Sequence, residues 1–382
     1  MKKRLTGFFS NNTNGLVLFI IIVVIVMHIL TLFMLFRYRK QADLFHELEQ
    51  EQNVSYDKRY AFISQSEENT LWNAVYQELR QMGEEQNIYI ERLTRGLPVE
   101  YSKAQLLEIA IASGVDGIIV EADESEETKK MINTAQKKGI PVITLLTDNP
   151  NTMRKSYVGV SNFNLGQEYS NLIYNAAEQI YEERMEAYTE EEGSQEDTDT
   201  SKSEELGNMR VLVLIEQNTQ GTNMIYSAIT ENLENLQEAK EESPVHIETE
   251  TAMIRSANAF SAEESIRDTF QELEQMPDIV VCMNEQSTLS VYQMLVDQNK
   301  VGQTQILGYY DSEMILKAVE RKAIYATIMI DTKQMAHYCM DALNEYIETG
   351  YVSEYFAVDF TVIDGNNIQR YLRNEEENGE ET

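Results

Sequence analysis

The 382-residue chain is poor in cysteine and histidine, the residues that most often mark a nucleophilic or transition-metal centre. It has two cysteines, Cys282 and Cys339, and four histidines, His28, His46, His246 and His337. Both cysteines sit in apolar or amphipathic surroundings, which predicts buried thiols rather than a disulfide, and no spacing resembles a metal site. The histidines form no Ser-His-Asp order, no nucleophile elbow or paired-carboxylate motif stands out, and nothing points to an enzyme. Glycine-rich phosphate loops of the GxGxxG or GxxxxGK(S/T) kind are absent, so no cofactor is expected. Basic residues are scarce, 31 against 64 acids, giving a formal net charge of −33. Nucleic acid is thereby excluded as a partner, because phosphate contacts need clustered Lys and Arg.

What the amino terminus does have is one long apolar run. Gly15–Phe36 is 22 residues without a formal charge, enough to cross a bilayer core, which needs about 20 as helix. The run is too long for the core of a cleaved signal peptide, and no small-x-small cleavage site follows it. No cysteine follows it either, which excludes a lipid anchor. It predicts an uncleaved signal anchor. Residues 1–14 would be cytoplasmic and 37–56 a stalk with Leu44, Leu48 and Val54 spaced along it. Lys2, Lys3 and Arg4 before the run balance Arg37, Arg39 and Lys40 after it, so charge alone does not orient the helix.

The rest of the chain is organised around Gly114–Asn162. Gly117–Val120 is a short, β-branched, wholly apolar run, as expected of a strand buried on both faces. Ser125–Lys138 has Met131, Ile132 and Ala135 at helical spacing, acids first and lysines last, which suits the helix dipole. Gly139 and Pro141 stop it, and Val142–Leu146 is a second buried strand. This βαβ unit implies a parallel sheet with right-handed crossovers. Similar strand–helix alternation recurs from Arg210–Ile215 through Asp278–Met283 and Thr304–Tyr309, in a chain too long for one ordinary core. Between the halves, Glu182–Glu205 holds eleven acids and two bases. Such a stretch predicts a disordered insert over 182–207, a solvated spacer or else a dock for a basic partner or calcium. An acidic tail over 373–382 is expected to be disordered too.

The segments VDGIIV, AQKKGIPVITL and SYVGVSN resemble the first lobe of the type I periplasmic, sugar-type solute-binding proteins, ribose- and galactose-binding-like. These are related to the ligand-binding part of the LacI-type repressors, but no helix-turn-helix precedes the lobes here. The resemblance covers about Tyr56 to Tyr371. It implies an α/β, two-lobed fold: two doubly wound parallel sheets joined by a three-strand hinge, behind the amino-terminal transmembrane helix. Lobe one would take 57–157 and 331–350, and lobe two 158–330 and 351–372, with Asn162–Ile180 as an Asn-capped helix and Phe356–Ile363 as one crossing strand. It also places the large carboxy-terminal part outside the cytoplasm, anchored in the cell membrane.

By the same resemblance, Asn69, Leu71 and Trp72 fall in the loop that lays an aromatic ring against the solute, and Asn284 stands at a strand end of lobe two. Other positions depart from the family. Its first-lobe aspartate falls on Leu146, with Asp148 two residues on. Its arginine falls on Tyr226, its Gly-Phe-Asp aspartate on Tyr310 (or on Asp311 through a bulge), and its crossing-strand glutamine on Ile330. A site built to hydrogen-bond hydroxyls can discriminate by about 10⁴-fold, and Leu, Tyr and Ile remove that device. The pocket is therefore expected to be apolar and aromatic, for a sugar-like, aromatic or less hydroxylated small molecule. The partner implied is an ABC permease, which would make the chain a transport component. A sensor histidine kinase, or a protein-interaction role without sugar binding, is the alternative.

Overall fold

The computed structural model describes residues 56–64, 69–93, 101–192, 200–215, 220–240, 243–255 and 259–372. From Lys58 on they belong to one compact unit. The Gly15–Phe36 run, the stalk up to residue 55 and the acidic tail lie outside the described residues. Among those described, no helix is long and apolar enough to cross a membrane.

Two six-stranded sheets form the unit. The first holds β1 (Lys58–Ile63), β2 (Ile88–Arg92), β3 (Gly117–Val120), β4 (Val142–Leu145), β5 (Ser156–Gly159) and β11 (Tyr355–Ala357). The second holds β6 (Asn208–Ile215), β7 (His246–Met253), β8 (Ile279–Cys282), β9 (Gln305–Tyr309), β10 (Ala326–Ile330) and β12 (Phe360–Asp364). Their orders, β11-β5-β4-β3-β1-β2 and β12-β10-β9-β8-β6-β7, are the same pattern repeated. Every pairing is parallel except β10 with β12. Strands β3, β4 and β8 are wholly buried, as their unbroken apolar runs require.

The helices of lobe one start and stop where short polar side chains allow. In α1 (Thr70–Glu85) the Asn69 carboxamide accepts from the Trp72 N–H at 3.1 Å. In α2 (Lys103–Ser113), Ser102 and Gln105 satisfy each other's backbone N–H groups, and Gly114 ends the helix at φ +66°. Ser125 caps α3 (Glu126–Lys137) through the Thr128 N–H. Each such cap is worth about 1 kcal/mol. Lobe two carries α4 (Asn162–Glu192), α5 (Thr200–Gly207), α6 (Gln220–Ala239), α7 (Ala259–Glu272), α8 (Glu285–Asp297) and α9 (Glu313–Glu320). The last helix, α10 (Thr332–Thr349), returns to pack on lobe one.

Helices α4 and α6 pack closely because Gly166 has no side chain: a Cβ there would lie 2.6 Å from both Ala228 Cβ and the Ile225 carbonyl. The cap of α4 is Ser161, whose hydroxyl accepts from the Asn164 N–H at 3.3 Å, and not Asn162. The acidic stretch also departs from expectation. It is helical through Glu192 and again over α5, with residues 193–199 outside the description. Its polar side chains find partners that composition does not reveal. Tyr181 meets Ser203 at 2.7 Å, and Arg184 pairs with Asp278 while reaching the Leu206 and Asn208 carbonyls.

The chain passes between the sheets three times, at Val160–Ser161, at Asp331 and at Val358–Asp359. The third passage corrects the single strand expected over Phe356–Ile363. Two short strands lie there, one in each sheet, so residues up to Ala357 belong to lobe one. Strand β5 likewise keeps lobe one running to Gly159. The crossings are tied together. Val358 N–H donates to the Gly159 carbonyl at 3.0 Å, Asp331 N–H to the Asp359 carbonyl at 3.2 Å, and Gln334 bonds both the backbone N–H and the carboxylate of Asp359.

Both cysteines are free, fully buried thiols. Burial pushes Cys282 up to about 12, against the opposing hydrogen bonds of Ser287 and Thr288, and raises Cys339 too. Since the thiolate is the reactive form, iodoacetamide at pH 8 is expected to modify neither in the native protein and both in urea. Modification of either native thiol, read by intact mass, would contradict the buried placement.

Candidate ligand-binding cleft

In open parallel sheets, ligands bind beyond the carboxyl ends of the strands. Here the two sets of strand ends face each other. Among the described residues, two hydrogen bonds join the lobes there. The Thr70 hydroxyl, at the start of α1, donates to the Glu285 carboxylate at the start of α8. The Gln220 N–H, at the start of α6, donates to Glu124 Oε1 at 2.8 Å. A surface cavity of about 630 Å³ lies at the opposite end of lobe one, beside Lys58, Asp116 and Tyr346.

Two residues at this cleft carry backbone strain. Leu146 directly follows β4 with φ +59°, and Tyr310 directly follows β9 with φ +76°. Both are the fourth strand of their lobe, so the two positions correspond in the repeated pattern. A left-handed conformation costs a bulky residue about 1–3 kcal/mol and tends to cluster at functional sites. The same arrangement offsets it twice. Leu146 N–H donates to Val158 O at 2.9 Å and Tyr310 N–H to Ile328 O at 2.7 Å. Their carbonyls accept from the Tyr157 hydroxyl at 2.8 Å and from Thr327 Oγ1 at 2.6 Å.

Most of the residues singled out in the sequence come to these strand ends. Asn69, Leu71 and Trp72 follow β1, Leu146 and Asp148 follow β4, Asn284 follows β8, Tyr310 and Asp311 follow β9, and Ile330 ends β10. Trp72 is only 4 % exposed, its ring 6.2 Å from that of Phe62 and tilted by 56°. Asn284 uses its side-chain oxygen to cap α8, accepting from the Ser287 N–H at 2.7 Å. Burial, then the Asp311 and Glu285 carboxylates, raise the Tyr310 phenol far above its usual range.

Two residues stand apart. Tyr226 lies over the sheet of lobe two with its hydroxyl 3.3 Å from Thr249, in the middle of β7 rather than at its end. Asp148 is occupied. Its two oxygens take a bidentate pair from Arg154 at 2.6 and 2.7 Å, and Thr144 Oγ1 donates to it at 2.6 Å.

Sequence reasoning passed over four residues at the strand ends. Arg92 ends β2, buried against the Phe62 and Tyr76 rings and hydrogen-bonded to Asn73 and Ser64. Thr70 and Glu285 form the bond between lobes. Ser312 follows Asp311, and its hydroxyl oxygen is buried without a hydrogen-bond partner among the described residues. Glu285 was legible in one respect, as the acid directly after Asn284. Its burial, 9 % exposed, was not. Moving a carboxylate out of water costs several kcal/mol even after relaxation, whereas a helix amino terminus returns at most about 2 kcal/mol.

Residues 60–350 match the periplasmic binding protein domain. The chain belongs to that family. Membership implies a non-enzymatic binding domain that works outside the cytoplasm. The fold is similar to that of GanP, a glucose-galactose binding protein from Geobacillus stearothermophilus, at 18% identity and a TM-score of 0.61, covering 81% of this chain and 98% of that one. A sugar-binding protein of a sugar ABC transporter from Bacillus halodurans is similar at 17% identity and 0.61, covering 82% and 100%. The structure titled XylFII-LytSN complex is similar at 20% identity and 0.59, covering 81% and 98%. No curated protein matches the chain. At these identities the likeness is one of fold.

Proposed function

We propose that this periplasmic binding protein is anchored in the cell membrane by Gly15–Phe36 and closes its two lobes on a sugar or sugar-like solute outside the cytoplasm. It then presents the closed form to a membrane partner, as the substrate-binding component of an ABC transporter. The observation that carries this reading is the pair of strained residues, Leu146 and Tyr310, at corresponding strand ends on either side of the cleft. Strain of that kind is retained where a site must be held in one shape. Three tied crossings supply a hinge about which the lobes can open and close. A ligand shifts that equilibrium by its differential affinity for the closed form.

Signalling is the second reading, with a sensor kinase as the partner. An apolar run without a lipid-attachment cysteine favours it, and so does the likeness of fold to XylFII, solved in the XylFII-LytSN complex.

A thermal-shift series on the full-length protein in detergent tests the shared core of both readings. A hexose or pentose at about 100 times its Kd should add roughly 2.7 kcal/mol, several degrees in Tm. Tyr310→Gly keeps the left-handed backbone and removes the ring, so it should abolish the shift. If no sugar or sugar-like compound shifts Tm, solute binding is wrong and a protein-interaction role replaces it.

A further inference from the structure

On the lobe-two side of the cleft, two polar groups, Glu285 and Ser312, have few partners among the described residues. Glu285 is buried beneath the Thr70 hydroxyl, and among the described residues no lysine or arginine pairs with it. The contrast within the molecule is direct. Glu121, as deeply buried, has Lys103 at 3.3 Å, and Asp148 has Arg154. Arg92, the buried base nearest in kind, is turned to Asn73 and Ser64 over the Phe62 and Tyr76 rings. A buried carboxylate is ordinarily matched by a cation, and here the helix amino terminus and one hydroxyl supply only part of that match.

Ser312 is the second such group. It precedes α9 but makes no capping bond, and its buried Oγ has no hydrogen-bond partner among the described residues. Glu285 and Ser312 follow neighbouring strands, β8 and β9, and the Tyr310 ring lies on the same stretch as Ser312. Buried hydroxyls are nearly always hydrogen-bonded, so an orphan at a binding cleft marks a place for a ligand atom. Carboxylate, hydroxyl and aromatic face together form a receptor for a protonated amine carried on a hydroxylated framework. The chain's −33 formal charge draws cations toward it.

We infer that the lobe-two side of the cleft, Glu285 with Ser312 and Tyr310, is a subsite for a cationic amino group, and that the solute is an amino sugar or a similar polyhydroxylated amine. This rests on the solute-binding reading above and names its ligand class. On binding, the ammonium takes the position of the Thr70 hydroxyl on Glu285 and donates a further hydrogen bond to Ser312 Oγ.

Calorimetric titration of the full-length protein with glucosamine and galactosamine, their N-acetyl derivatives, and glucose and galactose tests it. An amine should bind about 10- to 100-fold more tightly than its N-acetyl and hydroxyl counterparts, as hydrogen bonds to a charged group warrant. Glu285→Gln should bring the three to within about threefold of one another. Ser312→Ala, a milder change, should narrow the amine's advantage without removing it. If the neutral sugars bind and the amine has no advantage, or if both variants keep that advantage, the subsite is wrong while solute binding stands. If none of the six binds but another sugar does, the amine class is overturned alone. No binding by any sugar or sugar-like compound overturns both.

Discussion

Trp72→Ala should lower the stability of the folded protein by about 3–5 kcal/mol, the usual cost of removing a large buried aromatic ring. Trp72 is the only tryptophan and sits in the first turn of α1, where the Asn69 cap fixes the direction of the helix. Its ring leans on Phe62, which in turn stacks with Tyr76 at 6.1 Å and 17°. Such pairs add about 0.5–1.5 kcal/mol beyond the area buried. Urea unfolding followed by far-ultraviolet circular dichroism reads the effect, since the variant has no tryptophan fluorescence. A loss below about 1 kcal/mol, within the range of ordinary surface changes, would mean that the ring is not part of the core. Its contribution to the cleft would then be contact with solute alone.

The second large effect concerns Asp148. Arg154 and Asp148 are 16 % and 17 % exposed, and their bidentate geometry leaves little of either charge to water. Asp148→Ala strands the guanidinium, with an expected cost of about 3 kcal/mol, toward the lower end for a broken buried pair. The same guanidinium donates to the Glu354 carbonyl at 3.3 Å and lies over the Tyr157 ring. Tyr157 caps the strained Leu146, so the loss should reach the cleft through that hydroxyl. Asp148→Ala with Arg154→Ala should cost clearly less than the sum of the single changes, because the double variant buries no lone charge. Additive losses in that cycle would show that the pair holds nothing together.

These expectations bear on how much of the site the sequence carried. The positions Leu146 and Tyr310 were legible only through resemblance, as places where an aspartate was expected. Nothing in Ile-Thr-Leu-Leu or Gly-Tyr-Tyr announces a left-handed backbone, which bulky residues adopt only when surrounding hydrogen bonds impose it. Asp148 read as a spare ligand carboxylate because its partner lies six residues away across a turn. Tyr226 was placed by resemblance, which gives a position in the chain but not the face of the helix it occupies.

The sequence by itself determined the local elements. Unbroken apolar runs gave β3, β4 and β8, and Ser125, Gly139 and Pro141 bounded α3, because short-range sterics and capping act over a few residues. It also carried the absence of nucleotide and metal motifs and the candidate membrane run. Only the tertiary structure decided that α4 runs into the acidic stretch as far as Glu192, since its stabilising partners are 22 to 94 residues distant. It likewise split the last crossing into β11 and β12, one for each sheet, because strand pairing is a long-range choice between edges. And it alone put Glu285 under Thr70, two residues 215 apart in the chain, and left the buried Ser312 hydroxyl at the cleft without a hydrogen-bond partner among the described residues.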